Sequence, residues 1–160
     1  MTSWKLSPIP KVKIMIEIRP ADLTKKTLFY MDRMPLIICT DSPRIYRKLQ
    51  DADYTKVSIN AELSKALLSY KPEYRPSVIE TELKKLLPYH VPILIKDFEM
   101  LFDPRYEIDV LKFFCEKARI INVAVKWPGK FVEGKLTYSE PKFPDYHEYN
   151  CNSYQIRVVQ

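Results

Sequence analysis

Glycine is almost absent from this 160-residue chain. Only Gly129 and Gly134 occur, so residues 1–128 contain none. A loop that wraps backbone N–H groups around a phosphate uses glycine because the required torsion angles are resisted by other residues. The chain before Gly129 therefore excludes a conventional glycine-rich nucleotide-binding loop.

Cysteine and histidine are also scarce, with three and two residues respectively. Cys39, Cys115 and Cys151 are far apart and lack the spacing of a zinc site or a disulfide framework. We interpret them as small apolar residues of the core. His90 and His147 lie in segments rich in proline and tyrosine, without metal-ligand spacing, so no metal centre is predicted.

Long apolar runs are missing as well. No stretch approaches the roughly 18 residues of a membrane span, and the opening "MTSWKLSPIPKVKI" lacks the apolar centre of a signal peptide. We therefore expect a cytoplasmic protein without a membrane partner.

Basic residues are concentrated in the first part of the chain. Residues 1–50 hold ten Lys/Arg and four Asp/Glu, whereas residues 51–160 hold sixteen of each. The excess predicts either a basic face for nucleic acid or an acidic protein, or simply scattered surface charge. The candidates are Lys11, Lys13, Arg19, Lys25, Lys26, Arg33, Arg44, Arg47 and Lys48.

Strand and helix patterns alternate along the chain. A period-two pattern predicts a strand over residues 11–18, and helical spacing predicts a helix from Pro20 to about Met34. Five further strands are predicted near residues 36–40, 56–59, 92–96, 120–126 and 154–159, with helices between the first four. This order predicts an α/β fold with a mostly parallel five-stranded sheet covered by helices on both faces. We expect one globular domain, in which residues 1–34 pack on a core of residues 35–160.

Local signals make finer predictions. Ser42 and Pro43 predict the cap and first residue of a helix, and "SVIE" predicts a capping box at Ser77. A later helix is predicted to begin at either Pro104 or Asp109. The segment "KFVEGKLTYSEPKFPDYHEYN" is predicted to be irregular.

The strand-turn-helix around residue 40 has the outline of a phosphate-binding loop. When the pattern GxxxxGK[ST] is laid from Thr40, its glycines fall on Thr40 and Ile45, its lysine on Tyr46 and its hydroxyl residue on Arg47. Every defining position is lost. We interpret the whole segment as a vestigial loop: Thr40, Asp41, Ser42, Pro43, Arg44, Ile45, Tyr46 and Arg47.

The strand "PILIKDFE" is similar to a Walker B segment. In such a segment an aspartate at the strand end holds magnesium and a nearby glutamate orients water. Here Lys96 stands at the strand end, followed by Asp97 and Glu99. Either Lys96 has replaced the metal ligand, or Asp97 is that ligand one place later. Glu99 is either a catalytic remnant or a solvated or structural carboxylate.

Three segments carry a resemblance to a known family: "INAELSKALLSYKPEYRP", "ILIKDFEMLFDPRYEIDVLKFFCEKAR" and "VAVKWPGKFVEGKLTYSEPKFPDYHEY". The chain resembles the BrxF-like small P-loop proteins of type three BREX (bacteriophage exclusion) systems over about residues 36–150. The resemblance implies a P-loop NTPase-like three-layer sandwich of the AAA+/ASCE type, beside larger defence proteins that distinguish or modify DNA. Family members carry a GKT-like loop, and an aspartate where this chain has Lys96. Because the departures fall on the catalytic residues, no cofactor is expected.

We therefore expect a non-catalytic, pseudo-ATPase-like adaptor or scaffold in a prokaryotic antiviral defence complex. Protein partners are expected, and DNA contact and homo-oligomerisation are left open. Arg44, Arg47 and Lys48 on the first core helix are candidates to contact nucleic acid or a partner. Lys126 and Trp127, at the end of the fourth core strand, are further candidates.

Three alternatives remain open. One is a nucleic-acid-binding module in which Tyr30, Tyr46 and Tyr54 stack on bases within the basic half of the chain. Another is an unconventional ATPase that binds ATP and magnesium. The last is a metal nuclease, whose candidate residues are Asp97, Glu99, Asp103, Asp109 and Lys126.

Overall fold

The computed structural model describes residues 15–29 and 33–160. The strands are β1 Met15–Ile18, β2 Leu36–Ile38, β3 Thr55–Ser58, β4 Ile93–Lys96, β5 Val123–Lys126, β6 Lys130–Val132, β7 Lys135–Tyr138, β8 His147–Asn150 and β9 Ile156–Val159. The α-helices are α1 Lys25–Phe29, α2 Pro43–Asp51, α3 Asn60–Leu67, α4 Arg75–Leu86 and α5 Val110–Ala118. Short 3-10 helices cover Pro20–Asp22, Pro72–Tyr74, Glu99–Phe102, Pro104–Tyr106 and Cys151–Ser153. Within the described ranges, every helix is too short or too polar to cross a bilayer.

The central sheet has six strands in the order β1-β9-β2-β5-β4-β3. Each neighbouring pair is parallel. The prediction of an α/β fold with a mostly parallel sheet is confirmed. The sheet is wider than the predicted five strands because β1 joins it as an edge strand beside β9; residues 11–14 of the predicted N-terminal strand lie outside the described residues.

Alternate residues of the inner strands enter two separate cores. In β2, Ile37 faces the larger core with α3, α4 and α5, while Leu36 and Ile38 face a smaller core with α1 and α2. All three residues are fully buried. A strand covered on both faces reads as a continuous apolar run, as "LII" does. The result is three layers, with helices on each side of the sheet.

The first helix is shorter than the predicted one. A 3-10 turn occupies Pro20–Asp22, and α1 covers only Lys25–Phe29. The helix α1 begins separately after Thr24, whose hydroxyl accepts a hydrogen bond from the backbone N–H of Thr27 at 3.2 Å. Residues 30–32 lie outside the described residues, and Met34 is not helical.

Two further helix starts differ in their capping. The predicted capping box at Ser77 is wrong, because α4 already begins at Arg75 and the Ser77 hydroxyl donates to the Tyr74 carbonyl at 2.7 Å. Helix α5 begins after Asp109, whose carboxylate accepts from the backbone N–H of Lys112 at 2.9 Å. Of the two predicted starts, Asp109 is therefore correct.

The segment predicted to be irregular instead forms a second sheet. Strands β6, β7 and β8 pair antiparallel in that order. Between β6 and β7, Glu133 and Gly134 both have positive φ, 51° and 76°, which suits a two-residue type I′ hairpin turn. This small sheet packs on the larger core through the buried Leu136 and Tyr149.

The segment "WPG" joins the two sheets. Trp127 is only 4% exposed, and its indole N–H donates to the Thr137 carbonyl at 2.9 Å. A Cβ built on Gly129 would lie 1.7 Å from that same carbonyl oxygen. The small sheet therefore approaches the end of β5 at a distance that only glycine permits.

We predict that Gly129→Ala destabilises the protein by roughly 3 kcal/mol, because the new methyl group would displace a paired backbone carbonyl. Gly134→Ala is the matched control. Gly134 has open space around its Cβ position, so that change should cost only about 1–2 kcal/mol of left-handed strain. Urea unfolding of both variants measures the difference, and an equal or smaller loss at Gly129 would contradict the prediction.

Candidate functional site

The carboxyl ends of the parallel strands meet at one edge of the central sheet. This edge collects the turn after β2, the loops after β3 and β4, and the end of β5. In open α/β sheets this is where ligands bind. The vestigial loop (residues 40–47) and the Walker B-like segment (residues 96–99) are thus on the same edge, separated by β5.

The polar groups of the turn after β2 bond to one another. The N–H of Ser42 donates to the Thr40 hydroxyl at 3.2 Å, and the N–H of Ile45 donates to the Ser42 carbonyl at 3.2 Å. Pro43 has no N–H to offer. Residues 39–47, all described, contain no positive φ, so they lack the alternating backbone handedness of an anion-binding nest.

Side chains surround the same turn. The Tyr46 hydroxyl donates to the Thr40 carbonyl at 2.8 Å. Burial, with smaller contributions from Asp41 and Cys39, raises the pKa of Tyr46 to about 12, so the hydroxyl remains a donor at neutral pH. The Lys126 ammonium lies 5.4 Å from the Tyr46 ring centroid and 3.8 Å from a carboxylate oxygen of Asp41. The Lys126 ammonium and the Thr40 carbonyl are therefore both in contact with side chains of this turn.

The end of β4 carries a cation beside a carboxylate. The Lys96 ammonium lies 3.9 Å from an oxygen of Asp97, and the Ser58 hydroxyl donates to that oxygen at 2.6 Å. Asp97 has a left-handed φ of 52°, a conformation that aspartate tolerates better than most residues. Both candidate positions for the lost metal ligand are thus engaged in contacts within the chain.

Asn60 connects the loops after β3 and β4. Its backbone N–H donates to the Asp97 carbonyl at 2.6 Å. Its side-chain amide donates to the Glu99 carboxylate at 2.5 Å and accepts from the Met100 N–H at 3.2 Å. Glu99 is therefore a hydrogen-bonded carboxylate of this junction.

The carboxylates of the nuclease hypothesis have separate partners. Asp103 pairs with Arg105 at 2.6 Å, a contact that holds the pKa of Asp103 below its usual value. Asp109 caps α5 and accepts from the Tyr154 hydroxyl at 2.7 Å. Among the residues that the structure describes, no group of three or more metal-binding side chains is placed to hold an ion.

Trp127 does not match its predicted role as a surface contact. Its side chain is buried and packs edge-on against Phe102 and Tyr149, because the small sheet covers this end of β5. Lys126 is exposed, as a contact residue must be. The aromatic segment that follows is therefore used at least partly for packing.

His147, Cys39 and Cys115 are each partly buried in the fold. His147 is stacked on Tyr149, with Nδ1 2.9 Å from the Asp145 carbonyl. Burial raises the pKa of Cys39 and Cys115 to about 12, so both remain thiols at neutral pH. Reactive cysteines need the opposite shift.

The basic residues of the first part of the chain are partly used internally. Arg19 pairs with Asp22 at 2.9 Å, and the Lys48 ammonium donates to the Pro20 carbonyl at 2.9 Å. Arg44 and Arg47 are exposed on one face of α2. Lys11 and Lys13 lie outside the described residues.

The sequence did not reveal Ser58 and Asn60. Each bonds a residue 39 positions further along the chain, so local spacing contains no signal for the contact. Their only signal is that they are polar and lie where β3 ends at the carboxyl edge, Ser58 as its last residue and Asn60 two residues later.

Comparisons of the chain with family models, with curated proteins and with solved structures find no match.

We predict that Asn60→Ala destabilises the protein by about 2 kcal/mol, because two side-chain hydrogen bonds are lost and Glu99 and the Met100 N–H lose their partner. Amide hydrogen exchange should also accelerate in residues 97–103. Asn152→Ala, at an exposed position in a 3-10 turn, is the control and should change stability by less than about 0.5 kcal/mol. Unchanged exchange after Asn60→Ala would show that the junction is held by other contacts.

Proposed function

We propose that this protein is a non-catalytic, P-loop-like adaptor or scaffold of a prokaryotic anti-phage defence complex, related to the BrxF-like proteins. The resemblance of the three long segments to that family is one support. The proposal assigns protein partners to the chain and places the chemistry on DNA in those partners.

The order of the strands is a second support. Counted from β2, the core strands run 5-1-4-3-2 across the sheet, so the fourth strand lies between the first and the third. This is the arrangement of P-loop ATPases of the ASCE type, which the resemblance implies. In that arrangement the strand before the phosphate loop and the Walker B strand both flank the fourth strand, as β2 and β4 flank β5.

The observation that carries the non-catalytic part is the closed turn at residues 40–43. A phosphate needs several backbone donors converging on one point. Here the Ser42 and Ile45 donors are bonded within the turn, Pro43 has none, and the carbonyl of Thr40 accepts from Tyr46. At the end of β4, Lys96 adds positive charge where a magnesium ligand is required.

We predict that calorimetric titration with Mg-ATP or Mg-ADP gives no saturable heat with a dissociation constant below about 100 µM. The Lys96→Asp variant restores a carboxylate at the end of β4 and should remain equally inactive in binding, because the turn still offers no phosphate cradle.

Each of the other possible results would lead to a different conclusion. Saturable binding by the unmodified protein would contradict the proposal and direct attention to Asp97 and Glu99 as an unconventional nucleotide site. Binding by Lys96→Asp alone would mean that the cation on β4, and not the turn, prevents nucleotide binding. Circular dichroism of both proteins controls for folding.

Direct contact with nucleic acid is a second candidate function, favoured by the exposure of Arg44 and Arg47 on one face of α2. We predict that changing both to alanine weakens duplex DNA binding and lowers the salt dependence of affinity by about one unit of slope per residue. Lys48 is left unchanged because its ammonium holds Pro20.

A gel-shift titration at two salt concentrations measures this effect. The pair Lys65→Ala and Lys71→Ala, two exposed lysines on and beyond α3, is the matched control. Unchanged binding after the arginine changes, or no binding by the unmodified protein, would reject this candidate without affecting the scaffold proposal.

A further inference from the structure

The amino edge of the central sheet, opposite the candidate site, carries an extended concave surface. The turn between α5 and β5, residues 119–122, takes part in three cavities of about 440, 290 and 330 Å³. Arg119 lines the first, Ile120 the second and Asn122 the third. Each of the three cavities borders this one four-residue turn, and we call their lining residues together the amino-edge surface.

This surface is basic and partly apolar. Its exposed apolar side chains are Phe29 and Ile120, each 69% exposed. Its cations are Lys25, Arg33, Lys84, Lys112, Lys117 and Arg119, and its carboxylates are Asp53, Asp109 and Glu116. The six positive and three negative groups favour an acidic partner with apolar anchors.

The opposite end of the same molecule has that chemistry. A groove of about 440 Å³, which we call the carboxyl-edge groove, lies beside the loop after β4. It is lined by Glu99, Met100, Asp103, Pro104, Phe143, Pro144 and Asp145. Three carboxylates and no cation line it, and Phe143 is 49% exposed.

Two cations lie next to this groove without lining it. Arg105 pairs with Asp103, and the Lys142 ammonium lies 5.2 Å from the centroid of the Phe143 ring. They reduce the negative charge of the groove, but Glu99 and Asp145 remain acidic positions beside an apolar side chain. The groove is therefore complementary in charge and polarity to the amino-edge surface.

We propose that the protein associates head to tail, with the carboxyl-edge groove of one copy against the amino-edge surface of the next. The contact joins two different surfaces, so a dimer still has one unused groove and one unused amino-edge surface. Further copies can add at these surfaces, which gives a closed ring or an open filament. It does not depend on the proposed function, since it uses neither the vestigial loop nor the exposed face of α2.

Another copy of the chain fits this surface better than nucleic acid does. A protein partner can pair with both the six cations and the three carboxylates of this surface, whereas a phosphate backbone pairs only with the cations. Of the two exposed apolar side chains, Ile120 matches an apolar protein side chain, and only Phe29 offers a ring on which a base could stack. In contrast, the carboxylates and the exposed Phe143 of the groove are complementary to the cations and the exposed Ile120 of the amino-edge surface.

The experiment is sedimentation velocity of the full chain over a wide concentration range, at about 50 mM and about 500 mM salt. We expect concentration-dependent association at low salt that weakens at high salt, because the charges of the two surfaces are screened. A monomer at every concentration and both salt levels would overturn the proposal.

Two variants identify the surfaces. K84E/R119E/I120S changes the amino-edge surface, and F143S/D145K changes the carboxyl-edge groove; all five positions are exposed or partly exposed. Each variant alone should associate at least about tenfold more weakly than the unmodified protein. The matched control is L68S/K71E, an exposed leucine and lysine that line none of these cavities, and it should associate normally.

Mixing the two variants is the decisive step. The first retains an intact groove and the second an intact amino-edge surface, so the mixture should form a one-to-one dimer and nothing larger. Failure of the mixture to associate, or normal association of either variant alone, would overturn head-to-tail contact. The single changes I120S and F143S, tested in the same way and checked for folding by circular dichroism, keep the test valid if a multiple variant does not fold.

Discussion

The burial of the central sheet on both faces is the constraint on which the rest of the structure depends. The residues of β2 are fully buried, as are Ile93, Ile95 and all three apolar residues of β5. Each valine, leucine or isoleucine among them contributes about 1.5–3 kcal/mol by leaving water. Because a one-residue slip would exchange the two faces, this burial also determines the register, and with it the side chains that meet at the carboxyl edge.

At that edge, the polar groups of the turn and loops bond to one another within the chain. Tyr46 and Ser42 bond to Thr40, and Asn60 holds the loop after β4. Buried and half-buried polar groups require partners, and here those partners are side chains and backbone groups of the neighbouring loops. The edge is therefore a closed junction between loops.

The order of strands and helices along the chain could be predicted from local patterns, because the periods of two and of 3.6 are direct consequences of burial on one face. For α5 the sequence left two starts open, Pro104 and Asp109, and the structure selects Asp109 as the cap. The small sheet was missed because its strands are three or four residues long and its turn is "EG" rather than the stronger "NG" or "DG" signal. The buried position of Trp127 was missed with it, since the small sheet is what covers that residue.

The sequence by itself determined the α/β class, the alternation of elements and the mismatch of residues 40–47 to every defining position of a phosphate loop, because each is a property of neighbouring residues. Only the tertiary structure decided the strand order, the pairing of Asn60 with Glu99 and the closeness of Gly129 to Thr137. Asn60 and Glu99 are 39 positions apart along the chain, Gly129 meets Thr137 only because the small sheet forms, and strand order depends on how the helices pack. Their energies depend on three-dimensional packing, for which a local pattern contains no information.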